Sequence, residues 1–239
     1  MDKLGRVLII IPAYNEEKTI ADVLLGLRRS APAFDRIVVN DNSTDATGEI
    51  VTQMGEKQLR LPCNLGYRHA LQTGMKFARE HRYNIVVWFD ADGQHDPEDV
   101  PRLVQALVAN DADVVIGSRY CDGLPYETSF DRRLGQLIFS HLTRLLIGRR
   151  IYDTTSGFKV LRAPAYEAIV DSTFLDFHIE TLVHLSCLGF KIVECPTTIA
   201  TRAFGRSMHS FTSIFRYPLQ ALLLAIVAVV DALLTRRTR

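Results

Sequence analysis

The stretch Val86-Val87-Trp88-Phe89-Asp90-Ala91-Asp92-Gly93-Gln94-His95-Asp96-Pro97 turns abruptly from apolar side chains to two carboxylates spaced i, i+2. A short, continuously apolar run that ends in turn residues reads as a parallel strand buried on both faces, here Ile85 to Phe89. Open α/β sheets bind ligands in the crevice beyond the carboxyl ends of their strands, so Asp90 and Asp92 are delivered into such a crevice. Hard oxygen ligands there suit Mg²⁺ or Mn²⁺, which dehydrate reluctantly and share their coordination with substrate phosphates. Asp96 before Pro97 reads instead as the cap and first residue of a helix. Asp90, Asp92 and Gln94 could form a plain turn, but two acids behind so apolar a strand are a costly way to make one.

Outward from this strand the same pattern repeats. Arg6 to Ile11 reads as a first strand, and Pro12 to Glu17 as the loop opening a helix to about Arg29, with Asn15 and the following acids at its start. A strand from Arg36 to Asn40, a helix from Ala46 to Met54 and a short strand from Gln58 to Leu61 come next. A helix then runs from near Gly66 to near Arg82, and the central strand is followed by a helix from Pro97 to Asn110 and a strand from Asp113 to Ser118. This alternation implies βαβ crossovers and an α/β fold with a doubly wound, mostly parallel sheet. Tyr14 to Glu17, Asp41 to Asp45 and Asp90 to Gln94 should then face one crevice. Asp41 is placed to accept hydrogen bonds from a nucleobase or ribose, whereas Asp45 fits an Asx-turn with Ser43 and Thr44. No GxGxxG or GxxxxGK[ST] occurs, so neither a dinucleotide fold nor a P-loop kinase is supported.

The totals narrow the field further. A chain of 239 residues can hold one large α/β domain or two small ones with a sizeable core. A net charge of +1 argues against nucleic acid as a partner bound by bulk electrostatics. Cys63, Cys121, Cys187 and Cys195 lack CxxC spacing, so neither a zinc site nor a disulfide framework is indicated, and they read as reduced and structural. Val7 to Ile11 is too short for a signal h-region and has no small-residue cleavage site; it reads as a buried strand.

The ordered set Ile11-Pro12-Ala13-Tyr14-Asn15-Glu16-Glu17, Asn40-Asp41-Asn42-Ser43-Thr44-Asp45, Asn64-Leu65-Gly66 and Asp90 to Pro97 resembles the inverting glycosyltransferase family with the GT-A fold. Within it the likeness is to the dolichol-phosphate mannose synthase and polyprenyl-phosphate glycosyltransferase branch. Gly117-Ser118-Arg119-Tyr120, Asp153-Thr154-Thr155-Ser156-Gly157-Phe158 and Arg202-Ala203-Phe204-Gly205-Arg206-Ser207 extend it from residue 7 to about 216. The resemblance implies a nucleotide-sugar site. In it Pro12, Tyr14 and Glu17 line the base and ribose pocket, Asp41 binds the base, and Asp90 and Ala91 contact the donor. Asp90, Asp92 and Gln94 would hold a divalent ion, Mg²⁺ or Mn²⁺, while Arg202 holds the donor phosphates with Ser207 nearby. Two departures stand out: Arg68-His69 replaces a second glycine of many relatives, and Asn40 leaves Asp41 as the sole acid of its usual pair.

Leaving-group charge calls for a metal and a guanidinium, the clamp that Asp92, Gln94 and Arg202 would supply. A lipid monophosphate, with a second pKa of about 6, attacks without a general base but needs a positive cradle. Arg119, Arg132 and Arg133 are the candidates. A hydroxyl acceptor would instead need a base, for which Glu180 or Asp176 is placed; otherwise Asp176 caps a helix, and His178 or Glu180 shapes the acceptor mouth. Asp153 would orient the acceptor-side arginines or the sugar, and Gly157 reads as a tight turn before a strand from Phe158 to Leu161.

Leu134 to Ile147 is apolar on one helical face with Arg132, Arg133, Arg144, Arg149 and Arg150 around its ends, like an interfacial helix near anionic lipid. The apolar run Leu219 to Leu234 is interrupted by Gln220 and Asp231 and falls short of the roughly 20 residues of a spanning helix. It reads as lying on a membrane, packing against a sister chain in a homo-oligomer, or both, with a core helix of the catalytic domain as the alternative, and the Arg236-Arg237-Thr238-Arg239 tail points to the cytoplasmic face, with peripheral or monotopic attachment. The expected organisation is a GT-A catalytic domain over 1–208 and a C-terminal helix with basic tail over 209–239. The expected reaction is inverting transfer from a UDP- or GDP-hexose to a dolichyl or undecaprenyl phosphate; the alternative acceptor is a sugar hydroxyl in polysaccharide or glycolipid synthesis.

Overall fold

The computed structural model describes residues 4–121, 130–173, 175, 177–200, 223–224 and 226–231. Among them, β1 (Val7–Ala13), β2 (Asp35–Asn40), β3 (Gln58–Arg60), β4 (Ile85–Trp88), β5 (Val114–Ser118), β6 (Lys159–Arg162) and β7 (Ile192–Pro196) form one sheet in the order β3-β2-β1-β4-β6-β5-β7. The helices are α1 (Ile20–Ser30), α2 (Thr47–Gln53), α3 (Tyr67–Glu80), α4 (Asp99–Ala109), α5 (Phe130–Ile147), α6 (Ala163–Glu167) and α7 (Ile179–Cys187). The mostly parallel, doubly wound sheet expected from the alternation is present.

Alternation along the strands feeds two cores. Leu8 and Ile10 of β1 point to the face covered by α3 and α7, with Trp88, Met75, Tyr166 and Leu182. Val7, Ile9 and Ile11 point to the other, with Leu24, Leu27, Val104 and Phe158. α1 buries Ile20, Val23, Leu24 and Leu27, the i, i+3, i+4, i+7 stripe of an amphipathic helix on a sheet. Each such side chain contributes roughly 1.5–3 kcal/mol when fully buried.

One strand breaks the parallel rule. β6 runs antiparallel to both β4 and β5, with Lys159 opposite Trp88 and Ile116. Its amino end therefore lies where its neighbours' carboxyl ends lie, and the loop entering it reaches the same crevice as the loops leaving β1, β2, β4 and β5. Alternating patterns in sequence do not encode strand direction, so this was not legible beforehand.

Helix starts differ from the expected ones for local reasons. α1 begins at Ile20 behind Thr19, because Asn15 adopts a left-handed conformation with φ 56° and spends its side chain on another loop. α4 begins at Asp99; the Asp96 carboxylate accepts the Glu98 N–H at 2.9 Å, so Asp96 closes the turn that leads into the helix rather than capping its first residue. Residues 223–224 and 226–231 are helical, and Ala228 and Val229 join the α7 side of the core. Among the described residues no helix is long and apolar enough to cross a membrane.

Close packing of α3 on β1 depends on Gly74, where an added Cβ would lie 2.3 Å from Ile10 Cγ2. Gly74→Ala should therefore cost about 1–3 kcal/mol by overpacking. In urea titrations the Ile10→Ala/Gly74→Ala double variant should lose less than the sum of the single losses; simple additivity would refute the contact.

Candidate active site

The crevice is assembled by carboxylates and amides that bind across loops. Asn15 Oδ1 accepts the Thr44 N–H at 2.8 Å, the Asn15 N–H donates to Ser43 Oγ at 3.1 Å, and the Glu16 N–H to Thr47 Oγ1 at 2.8 Å. Asp45 accepts the Thr47 N–H at 3.0 Å and the Glu17 N–H at 3.1 Å, while Glu17 accepts the Ala46 N–H at 3.1 Å. Burial works to raise the Asp45 carboxyl, and its hydrogen bonds from Thr47 and Glu17 outweigh that and hold it below the ordinary value. These contacts join the loop after β1 to the loop after β2. Pro12 is buried in the floor, and Tyr14 and Glu17 are exposed at the rim.

Asp41 ties in a third loop. It is buried, and its two oxygens accept the Leu65 N–H at 2.7 Å and the Gly66 N–H at 2.8 Å. Gly66, at φ 88°, precedes α3 in a conformation that glycine adopts without strain. Arg68 donates to the Thr173 carbonyl at 2.6 Å, and His69 Nδ1 lies 2.7 Å from the Leu65 carbonyl.

At the end of β4, Asp90 is held on both oxygens. Tyr67 donates its hydroxyl to Oδ1 at 2.9 Å, and His95 Nε2 lies 3.4 Å from Oδ2. Burial pushes the Asp90 carboxyl up, but His95, Tyr67 and the charge of Lys159 outweigh it, so it stays ionised below the usual carboxylate range. The same partnership, led by burial, raises the Tyr67 hydroxyl well above the usual phenol value. Asp92 is half-buried and its Oδ1 accepts the Gln94 N–H at 3.1 Å. Gln94 in turn accepts the Ala200 N–H at 2.9 Å through its carbonyl, and His95 bridges to Ile199. Ala91 is buried beneath the pair.

Gly157 lies at a bend just before β6, and it also serves this site. Its φ is not positive; a Cβ there would lie 2.3 Å from Asp90 Oδ2 and 3.1 Å from the Tyr67 hydroxyl. The loop before β6 thus seals Asp90 with bare backbone. The same loop carries Asp153, fully buried, whose oxygens take Arg119 Nε and Nη2 at 2.7 Å each in a bidentate pair, plus the Arg119 N–H at 3.0 Å. Glu194 of β7 anchors the loop by accepting the Tyr152 and Asp153 N–H groups at 2.8 Å. The Asp153 carboxyl, raised by burial, is brought below its ordinary value by the Arg119 guanidinium.

Glu180 is buried rather than exposed at the start of α7, and its Oε1 accepts the His178 N–H at 2.9 Å. His178 is half-buried and its ring is parallel to that of Tyr67 at 6.5 Å. Asp176, Arg202 and Ser207 lie outside the described residues, as do the side chains of Arg132 and Arg133, which fall within α5. Sequence reading passed over Tyr67, His95 and Lys159. A lysine inside the apolar strand Phe158 to Leu161 was a visible signal, whereas the partners of Asp90 depend on loop geometry.

Asp92 and Gln94 each carry a side-chain oxygen, a ligand type that fits Mg²⁺ or Mn²⁺ coordinated largely by water and phosphate. Among the described residues no group of three or more His, Cys, Asp or Glu side chains could hold a metal by itself.

Residues 8–170 match the family described as Glycosyl transferase family 2. Undecaprenyl-phosphate mannosyltransferase of Micrococcus luteus is 35% identical over 217 residues, covering 86% of this chain and 88% of that protein. Polyprenol monophosphomannose synthase of Mycolicibacterium smegmatis is 31% identical over 220 residues, covering 87% and 83%. Among solved structures, glucosyl-3-phosphoglycerate synthase from Mycobacterium tuberculosis, in complex with Mn²⁺, uridine diphosphate and phosphoglyceric acid, superposes with a TM-score of 0.68 at 19% identity, over 95% of this chain and 78% of that one.

The Asp153–Arg119 pair gives a pH signature. Its folded-state pKa lies below the ordinary 3.8, so its contribution is complete above the unfolded value and is lost as pH falls through the folded one. Asp153→Asn should cost about 1.5–3 kcal/mol at neutral pH by taking the charged hydrogen-bond partner from the half-buried Arg119 guanidinium. Urea titrations should show the gap to the wild type closing below pH 3.8; a gap unchanged by acid would refute the assignment.

Proposed function

The chain belongs to glycosyl transferase family 2, and from that premise we propose that it moves a hexose from a nucleoside diphosphate to the phosphate of a polyprenyl lipid, with inversion, at the cytoplasmic face of a membrane. The observation that carries this reading is Arg119, oriented by the fully buried Asp153 on a loop that also seals Asp90. A guanidinium held by the loop that packs against Asp90 supports an ionised phosphate as acceptor. The two mannosyltransferase relatives, named for undecaprenyl phosphate and polyprenol, support the same acceptor class.

On the donor side, Asp41 and Tyr14 meet the base and ribose, with Pro12, Glu17 and Ala91 shaping that end. Asp92 and Gln94, with Asp90 beside them, would hold Mg²⁺ or Mn²⁺, which when bound offsets charge on the leaving diphosphate. The Mn²⁺ and uridine diphosphate bound by the Mycobacterium tuberculosis synthase support a divalent ion here. Arg202 and Ser207 complete the phosphate clamp; their segment follows Ala200, whose N–H binds the Gln94 carbonyl.

On the acceptor side, Arg119 with Arg132 and Arg133 cradles the lipid phosphate. An acceptor with a second pKa of about 6 is its own nucleophile near neutral pH, so no residue has to remove a proton. Burial of Glu180, with one oxygen taken by the His178 N–H, favours this over a sugar hydroxyl that would need Glu180 or Asp176 as base. His178 then borders the acceptor mouth.

The C-terminal helix within 209–239 would seat the 1–208 catalytic domain on the bilayer. Leu223, Ile226, Val227 and Val230 are exposed at i, i+3, i+4, i+7 while Ala228 is buried against the core. A second copy of the chain is the other candidate occupant of that stripe, and sedimentation with and without liposomes separates the two.

Radiolabelled UDP- and GDP-hexoses incubated with undecaprenyl or dolichyl phosphate should yield a mild-acid-labile lipid product, abolished by EDTA. Asp92→Asn should lower turnover by about 10²–10³-fold. Labelling of a soluble or glycolipid acceptor with no labelled polyprenyl product would refute the acceptor assignment.

A further inference from the structure

Lys159 opens β6 with only 1% of its surface exposed, between Trp88 of β4 and Ile116 of β5. Its charge helps to keep Asp90 ionised, but at that depth the ammonium itself cannot meet a substrate. A buried ammonium is expensive unless its hydrogen bonds and charge are met. Here Nζ donates to the Ser156 carbonyl and to the Phe177 carbonyl at 3.2 Å, and it stands 5.5 Å from the centre of the Trp88 ring.

Those two carbonyls belong to different walls of the crevice. Ser156 sits in the loop that orients Arg119 through Asp153 and packs Gly157 against Asp90. Phe177 is a buried aromatic residue at φ 65°, a left-handed conformation that is strained for a bulky side chain and persists only when its surroundings impose it. The next residues are His178 and, on the first turn of α7, Glu180. Burial, the largest influence, pulls the pKa of the ammonium down to about 8, with Arg119 acting in the same sense and Asp153, Asp90 and Glu180 opposing it.

We propose that Lys159 is a positioning residue of the transfer: its ammonium, donating to the Ser156 and Phe177 carbonyls, holds the acceptor-side wall in register with the donor-side carboxylate. It touches neither substrate. The inference rests on the phosphate-acceptor reading for its activity arm, while its charge-balance arm stands apart from that reading.

The test uses the full chain as Lys159→Met, Glu180→Gln and the double variant. In Lys159→Met, calorimetric affinity for UDP and GDP with Mn²⁺ should stay within about threefold of wild type, while turnover with undecaprenyl phosphate at saturating donor falls about a hundredfold through misplacement of the acceptor. The thermal midpoint lost by Lys159→Met should be partly regained in the double variant, which restores the balance of buried charge. Turnover within threefold of wild type, nucleotide affinity falling as far as turnover, or midpoint losses that simply add would each overturn the proposal. If Lys159→Met does not accumulate as folded protein, the double variant should; failure of both would assign the loss to packing and overturn it as well. Should wild type label no lipid at all, the acceptor reading fails, and the midpoints alone decide whether Lys159 balances Glu180.

Discussion

Desolvation of carboxylates at strand ends is the constraint on which the crevice depends. An aspartate drawn partly or wholly out of water needs donors, because in a medium of low polarity an ionised oxygen without them is worth several kcal/mol of instability. Three acids of the crevice meet this need, two after strands and one in the loop that enters β6: Asp41 on the loop before α3, Asp90 on Tyr67 of α3 and His95 of its own loop, Asp153 on Arg119. Satisfying the charge and assembling the site are therefore one event. Loops far apart in sequence close on one another because the buried acids leave them no cheaper arrangement.

The two sides of the crevice meet this constraint by different means. On the donor side, Asp41 and Asp45 take mostly main-chain N–H groups, so the loops after β1 and β2 are held by backbone that no single side-chain change removes. On the acceptor side, the bond is between side chains: a guanidinium with five donors in a rigid fork meets a carboxylate with no exposure to solvent. Backbone-built sites tolerate drift in neighbouring residue types, whereas a bidentate side-chain pair fixes both partners. Lysine in place of Arg119 would keep the charge and lose the fork.

Much of this could be read before any coordinates. The apolar run ending in Asp90 announced both a buried strand and a crevice acid, because period and polarity change at one residue. Repetition of that change after β1 and β2 gave the parallel sheet and the shared face. What could not be read follows from features that sequence spacing does not carry. Strand direction is one: Lys159 to Arg162 has the composition of any inner strand, and only pairing reveals that it runs backwards. Multiple use of one residue is another. Asn15 looked like a helix start because its side chain suits a cap, yet the loop across from it offered the Thr44 N–H. Gly157 looked like a turn glycine and does lie at a bend, while its second role is set by the Asp90 oxygen that occupies the place of its missing side chain.

The backward strand also orders events in time. Among the described strands β6 alone joins the half formed by β3, β2, β1 and β4 to the half formed by β5 and β7. As the chain leaves the ribosome, the first half can zip together as soon as Trp88 has appeared. Val114–Ser118 then emerges with neither of its neighbours yet made, an apolar strand with two open edges, and it waits until α5 and the loop through Asp153 have followed. Long-range pairing of this kind is slow to form and exposes sticky edges meanwhile. During synthesis the exposure of β5 is therefore set by how soon β6 and β7 follow it, not by how stable the finished sheet is.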